Sequence, residues 1–304
     1  PTLRVALLSL LGPLAASSLL SHAAAHHWGA VDLEPFDEQR AAREHCTDAG
    51  DSFDAANCVW RADDARGRIV LVGDSHATSI SNAVIEAGNA LHYDVAVYAQ
   101  SSCPFHGATV PEIRGCDEMR QRQLALGLET ADLVIIANRS PSYTLPAIGK
   151  GSADEPWLVI HHLDGTEADS PADALDAWSA AIAATMTPLD DAGIPVLVIH
   201  TVPEYADNFG DHVSILRPEP RNATITIDEL RVRRAPVVAA ERAVIDDLDH
   251  ASWFDPAPTF CSDVCTPVVD GRYGYMDDHH LNPIGAAELV EPLTLQLAAM
   301  LPPG

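Results

Sequence analysis

Ser75 lies in "RIVLVGDSHATS", residues 68–79, where an apolar run breaks at Gly73 and passes at once into Asp74, Ser75 and His76. A serine at such a break has two readings. It can cap the following helix by accepting a hydrogen bond from an orphan backbone N–H. It can also stand at the strand end as a nucleophile, its own N–H turned into the site and the helix N-terminus favouring developing negative charge. A serine hydroxyl is a weak nucleophile, so the second reading requires a base. The sequence offers one near its other end, in "YGYMDDHHLNPIGAAELV". Asp277 and His280 are three residues apart, a spacing that lets one turn bring a carboxylate onto an imidazole. The carboxylate would fix the ring tautomer and stabilise the imidazolium. Asp278 and His279 are the adjacent competitors. A lone D-x-x-H is otherwise a surface turn or a helix cap, and paired histidines are otherwise metal ligands. Similar pairs at His26–His27 and His161–His162 make the pairing a habit of this composition, so no metal is expected.

Composition narrows the partners. The chain has 304 residues, 47% of them apolar, enough for one large domain with a full core. Lys plus Arg is 18 and Asp plus Glu is 44, a formal net charge of −26. That balance excludes nucleic acid as an expected partner and disfavours anionic membrane surfaces. The six cysteines form three local couples, Cys46/Cys58, Cys103/Cys116 and Cys261/Cys265. Six cysteines allow 15 connectivities; the clustering favours these three bridges and an oxidising, extracytoplasmic compartment. No C-x-x-C pair supports a zinc site.

The N-terminal stretch points the same way. From Val5 to Val31 there is no Asp, Glu, Lys or Arg. Residues 1–25 read as the end of a transmembrane helix or as a signal peptide with an A-x-A-like site at Ala23–Ala25. Residues 32–66 read as an extension carrying the first cysteine couple, and residues 67–304 as the catalytic domain.

From Arg68 onward, strands alternate with helices. "RIVLVG", "YDVAVYAQ", "ADLVIIAN" and "IPVLVIHTV" are apolar strands. "SISNAVIEAGNAL", "CDEMRQRQLALGLET", "PADALDAWSAAIAATMTPLDDAG" (capped by Ser170, with Pro171 in its first turn), "DELRVRRAPVVAAERAVIDDL" and "NPIGAAELVEPLTLQLAAML" are helices, and "ASWFDP" is a short strand or connection. The pattern predicts an α/β fold, a parallel sheet covered on both faces. Ligands of such sheets bind at the carboxyl ends of the strands. Gly73–His76, Asn138–Arg139 and His200–Pro203 fall there. No G-x-G-x-x-G spacing follows the first strand, so a nucleotide site is not expected.

"VLVGDSHA" followed far downstream by "DDHHLNPIGA" resembles the SGNH (GDSL-like) hydrolase superfamily, and more specifically the SGNH domain fused to acyltransferase family 3 membrane proteins. "SSCPF" at Ser101–Phe105 and a cysteine couple shortly before the Asp/His block belong to the same resemblance. It implies a three-layer α/β/α, flavodoxin-like fold with a central parallel sheet. It implies Ser75 as nucleophile, His280 as base, Asp277 as its orienting partner and the Ser75 N–H as an oxyanion donor. The family's second-block glycine has no clear counterpart, Gly107 being a poor one. Its third-block G-x-N-D is replaced by "IIANRSPS", which leaves Asn138 and Arg139 as oxyanion or substrate contacts. Asp74 is expected to stabilise the turn, and His76 at most to line the site. The resemblance implies serine O-acyl transfer without a cofactor, an acetyl group being supplied by a membrane acyltransferase module in cis or trans and passed to a carbohydrate hydroxyl of the cell envelope. The domain would then be extracytoplasmic and tethered by residues 1–25. A secreted esterase and a non-catalytic glycan-binding domain are the alternatives. Trp157, Trp178 and Trp253 would be sugar-stacking surfaces or core.

Overall fold

The computed structural model describes residues 39–47, 55–106, 113, 116, 120, 123, 128–145, 158–206 and 224–302. In chain order, helix α1 (Arg40–Arg43) and a 3-10 turn precede strand β1 (Val59–Trp60). Then follow β2 (Gly67–Gly73), α2 (Ser75–Ser79), α3 (Ser81–Ala90), β3 (Tyr93–Ala99), β4 (Leu133–Ala137) and α4 (Ser140–Thr144). Next come α5 (Pro171–Asp191), β5 (Val196–Ile199), β6 (Ile225–Thr226), α6 (Ile227–Ile245), β7 (Ala251–Phe254) and α7 (Ala257–Phe260). Three two-residue strands, β8 (Val264–Cys265), β9 (Val268–Val269) and β10 (Arg272–Tyr273), lead into α8 (Pro283–Ala287) and α9 (Val290–Met300).

The main sheet has the order β1-β3-β2-β4-β5-β7. All its pairings are parallel except β1 with β3. Without β1, this is the flavodoxin-like order, in which the first strand lies between the second and third. Every residue of β3, β4 and β5, and Ile69–Gly73 of β2, is buried. A strand buried on both sides needs cover on both faces. Helix α3 packs on α9 and α5 packs on α6, which supplies that cover. Each apolar side chain fully withdrawn from water this way contributes about 1.5–3 kcal/mol.

The elements follow the predicted pattern with two physical departures. The extension is not merely a lead-in, because Val59 and Trp60 add an antiparallel edge strand to the otherwise parallel sheet. The C-terminal helix is two helices, α8 and α9, with a break at Glu288–Leu289. The helix read over 116–130 falls largely outside the described residues, although Leu128–Thr130 form a 3-10 turn. Ser170 caps α5 as expected, its side chain accepting from the Asp173 N–H, with Pro171 at the first helical position. The three disulfides are Cys46–Cys58, Cys103–Cys116 and Cys261–Cys265. Residues 1–25 lie outside the described part, and no helix among the described residues is long and apolar enough to cross a membrane.

Gly73 ends β2 with φ +148°, and a Cβ built on it would stand 1.9 Å from the Ala137 carbonyl oxygen on β4. The close approach of these two strand ends therefore needs a glycine. Gly73→Ala is expected to lose about 3 kcal/mol or more of unfolding free energy, measured by urea denaturation. A variant as stable as the wild type would contradict this packing.

Candidate active site

The turn after β2 is organised by Asp74, which is fully buried. Its Oδ1 accepts from the His76 N–H at 2.8 Å and caps α2. Its Oδ2 accepts from the Arg139 N–H at 2.7 Å and from the Tyr143 hydroxyl at 2.8 Å. Burial pushes the Asp74 carboxyl up, against the three donors that favour its charge. Asp74 is thus the cap that the sequence left open for Ser75. Ser75 is the first helical residue, half-buried, and its N–H finds no partner among the described residues.

The second block is a closed loop. Tyr275 and Leu281 pair as an antiparallel bridge at its base, and the Met276 N–H donates to the His280 carbonyl at 2.9 Å. Asn282, fully buried, accepts from the Ile284 and Gly285 N–H groups, so capping α8, while its Nδ2 donates to the Tyr273 carbonyl. Gly285 lets α8 lie against Gly274, whose carbonyl oxygen would be 2.0 Å from an added Cβ. Gln39 of the extension donates to the Leu281 carbonyl at 3.2 Å.

This loop brings three side chains into line. Asp277 Oδ2 lies 2.7 Å from His280 Nδ1, and His280 Nε2 lies 2.8 Å from Ser75 Oγ. Asp277 Oδ1 accepts the backbone N–H groups of His279 and His280, which locks the carboxylate's orientation. Burial opposes the Asp277 charge, yet the His280 hydrogen bond and the neighbouring imidazoles hold its carboxyl well below the ordinary 3.8. Such an arrangement can withdraw a proton from Ser75 and hold the resulting imidazolium.

The competing pair is also formed: His279 Nδ1 lies 3.0 Å from Asp278 Oδ1. His279 stacks on His76 with centroids 5.6 Å apart, and His280 is tilted against the same ring at 5.1 Å. Burial, helped by the adjacent imidazoles, pushes His76 well below 6.5. His76 is buried behind the two histidines rather than lining the cleft.

Two cavities of about 190 Å³ each meet at Ser75 and His280. One is lined also by Ser101, Ser102, Arg139, Ser142, Tyr143, Leu158 and His279. The other is walled by Gln39, Ala42 and Thr47 of the extension, with Thr78, Met276 and Leu281. Arg139 reaches the first cavity held in an ion pair with Glu204, which is buried and also faces Arg233 at 3.5 Å. Burial opposes the Glu204 charge, but the two guanidiniums hold its carboxyl below the ordinary value. Asn138 is buried, its Oδ1 accepting from the Phe105 N–H at 3.1 Å and its Nδ2 making no hydrogen bond.

Sequence reasoning found no second-block glycine. The structure puts Ser102 in the left-handed region, φ +59°, on the turn after β3 that lines the same cavity as Ser75. That is the backbone conformation a glycine adopts freely. The "SSCPF" stretch carried the signal, without saying which serine takes the turn. Tyr143 and Glu204 were also missed, being ordinary core-compatible residues until the fold sets them beside Asp74 and Arg139. Gly107 and Trp157 lie outside the described residues. Trp178 is core, stacked on Tyr143, and Trp253 is half-buried and donates to Glu241.

The model of the SGNH domain family, that of domains fused to AT3 domains, matches residues 44–294. The chain belongs to that family. It is an SGNH-type serine enzyme, an acyltransferase or an esterase. Among solved structures it is similar to the periplasmic domain of a Salmonella ser. Paratyphi A lipopolysaccharide acetyltransferase, at 13% identity and TM-score 0.55, covering 83% of this chain and 90% of that one. It is also similar to a GDSL-like lipase of Parabacteroides merdae, at 11% identity and TM-score 0.44, covering 79% and 98%. A third is the catalytic domain of Streptococcus pneumoniae peptidoglycan O-acetyltransferase A, at 14% identity and TM-score 0.34, covering 79% and 98%. No curated protein matches the sequence.

Two measurements test this SGNH site. Asp74→Asn replaces an acceptor oxygen by a donor amide among three donors, and is expected to cost about 2–4 kcal/mol of stability, read by thermal melting. Asp277 is depressed in the folded state, so it contributes stability above pH 3.8 that is lost as pH falls below that value. The stability difference between pH 7 and pH 3 should accordingly shrink in Asp277→Asn. An unchanged difference would mean that Asp277 is not held as an ion pair partner.

Proposed function

We propose that the chain is an extracytoplasmic serine O-acyltransferase that passes an acyl group, most simply acetyl, to a carbohydrate hydroxyl through an acyl-enzyme on Ser75. The observation that carries the proposal is the continuous Asp277–His280–Ser75 hydrogen-bond chain, 2.7 and 2.8 Å, opening on a cavity. Ser75 Oγ adds to the acyl carbonyl carbon as its proton passes to His280 Nε2. The tetrahedral oxyanion collapses, His280 returns the proton to the departing group, and the acyl ester remains on Ser75. The acceptor hydroxyl then repeats the sequence in reverse, losing its proton to His280 and releasing Ser75. Asp277 stays ionised throughout and stabilises the imidazolium.

The donors to the oxyanion are assigned to three groups with unspent hydrogens: the Ser75 N–H, the Asn138 Nδ2, and the backbone N–H groups of the Ser101–Ser102 turn. Arg139 is assigned to substrate contact in the same cavity, held by Glu204. Transfer, rather than hydrolysis alone, is supported by the two cavities meeting at Ser75, which offer separate approaches to donor and acceptor. The fusion of family members to AT3 domains supports an acyl group delivered by a membrane module in cis or trans, with residues 1–25 as the tether. Three disulfides support an oxidising, extracytoplasmic setting. The likeness to a lipopolysaccharide acetyltransferase domain is in keeping with an envelope glycan as acceptor.

The test is acetyl release from an aryl acetate, with and without added oligosaccharide. Acetylated oligosaccharide should appear and compete with release into water. Fast hydrolysis that no acceptor alters would make the chain an esterase. Ser75→Ala and His280→Ala should each lower kcat by about 10⁴-fold or more, and Asn138→Ala by about 10²–10³-fold. An Asn138→Ala enzyme at full rate would remove Asn138 from the oxyanion site.

A further inference from the structure

The two cavities that meet at Ser75 differ in chemistry. The one that holds Ser102 is lined by Arg139, Ser142 and Tyr143, and Leu158 is its single aliphatic side chain among the described residues. The other has Ala42, Met276 and Leu281 on its wall and presents mostly carbon. Among the described residues it carries no ionisable side chain besides His280. Ser79, on the same wall, spends its hydroxyl on the His76 carbonyl at 3.1 Å. This wall is also fixed in place. The Arg40 N–H donates to Asn82 Oδ1 at 3.0 Å and the Arg40 side chain pairs with Glu86 at 3.3 Å, which ties α1, the helix of Ala42, onto α3. The Cys46–Cys58 bridge holds the chain just beyond Ala42, and Gln39 donates to the Leu281 carbonyl across the cavity from the base loop.

We propose that this second cavity receives the acyl chain, and that Ala42 and Met276 set the length of chain the domain accepts, which extends beyond acetyl. The inference rests on the acyl-enzyme reading of Ser75 given above. In the tetrahedral state the acyl carbon carries four groups: Ser75 Oγ, the oxyanion, the departing or entering oxygen, and the chain. The oxyanion belongs with the donors assigned to it, on the Ser101–Ser102 side. A sugar oxygen suits the hydroxyl and guanidinium groups of the first cavity. The chain is the one substituent that gains from a carbon surface, because apolar area leaves water there. A cavity of about 190 Å³ has room for more than a methyl group. Each methylene fully withdrawn from water is worth about three- to fourfold in kcat/KM. Ala42 has the smallest side chain on this wall that can be enlarged without touching the triad, and Met276 is the long flexible one opposite in chemistry, a side chain that fills space and can be cut back.

The experiment measures kcat/KM for p-nitrophenyl acetate, propionate, butyrate and hexanoate with the full chain. The leaving group is constant, so ratios within the series report the acyl chain alone. Wild type is expected to gain from acetate to butyrate, by up to about threefold per methylene. Ala42→Leu should lower the butyrate-to-acetate ratio by about tenfold or more. Met276→Ala should shift preference the opposite way, raising the hexanoate-to-butyrate ratio by about threefold or more. Its Met276 N–H bond to the His280 carbonyl is a backbone one and survives the change. The two variants act in opposite directions, which a general loss of structure would not produce, and either one decides the matter if the other does not fold. A wild type that hydrolyses acetate but falls steeply at propionate and butyrate overturns the inference and leaves the acyl-enzyme reading standing. Unchanged ratios in the folded variants overturn it equally. A folded wild type inert on all four esters would instead fail the acyl-enzyme reading, and this inference with it.

Discussion

The buried carboxylate of Asp74 is the constraint on which the site depends. It joins two pieces of chain distant in sequence: the start of α2, and the segment after β4 that supplies both the Arg139 N–H and the Tyr143 hydroxyl of α4. A carboxylate withdrawn from water is stable only when its oxygens are satisfied. Here the three donors that satisfy it also fix Ser75 and the Asn138–Arg139 segment relative to each other. Gly73 completes the arrangement by letting β2 and β4 approach where a side chain would collide. The serine is thus presented by a knot between two adjacent strands at the switch point of the sheet.

The base arrives from elsewhere and is held by different means. The Asp277–His280 loop is closed at its base by the Tyr275–Leu281 bridge and the Asn282 cap, and the extension braces it through Gln39. Two independently built pieces therefore meet across the 2.8 Å contact between His280 and Ser75. Their meeting generates both cavities, one reached by Arg139, which the buried Glu204 holds from behind, and one walled by the extension. The extension accordingly acts in two ways, as an edge strand of the sheet and as a wall of the site.

Much of this was legible in the sequence where the signal is local. The unbroken apolar run before Gly73 announced a doubly covered strand. The three-residue spacing of Asp277 and His280 allowed a carboxylate–imidazole pair, which the family resemblance then selected over a turn or cap, and the short cysteine couples announced the bridges that form. What stayed hidden depends on distant chain. Asp74 and Ser75 are both good caps, and only the Arg139 N–H and Tyr143 hydroxyl, set in place by β4 and α4, select Asp74. A two-residue edge strand such as Val59–Trp60 has no periodicity to read. The break between α8 and α9 contains no Gly or Pro, so apolar spacing carried straight through it. Ser102 was hidden because its left-handed backbone occurs in a serine, where a glycine would have shown itself.

The central claim is that the two blocks assemble one nucleophile, Ser75, activated by His280. The most direct measurement is labelling with an active-site phosphonate, followed by peptide mapping of the adduct. The account predicts an adduct on Ser75 in the folded protein and its loss in His280→Ala. A folded wild type that resists the reagent, or an adduct on Ser101 or Ser102 instead, would contradict it.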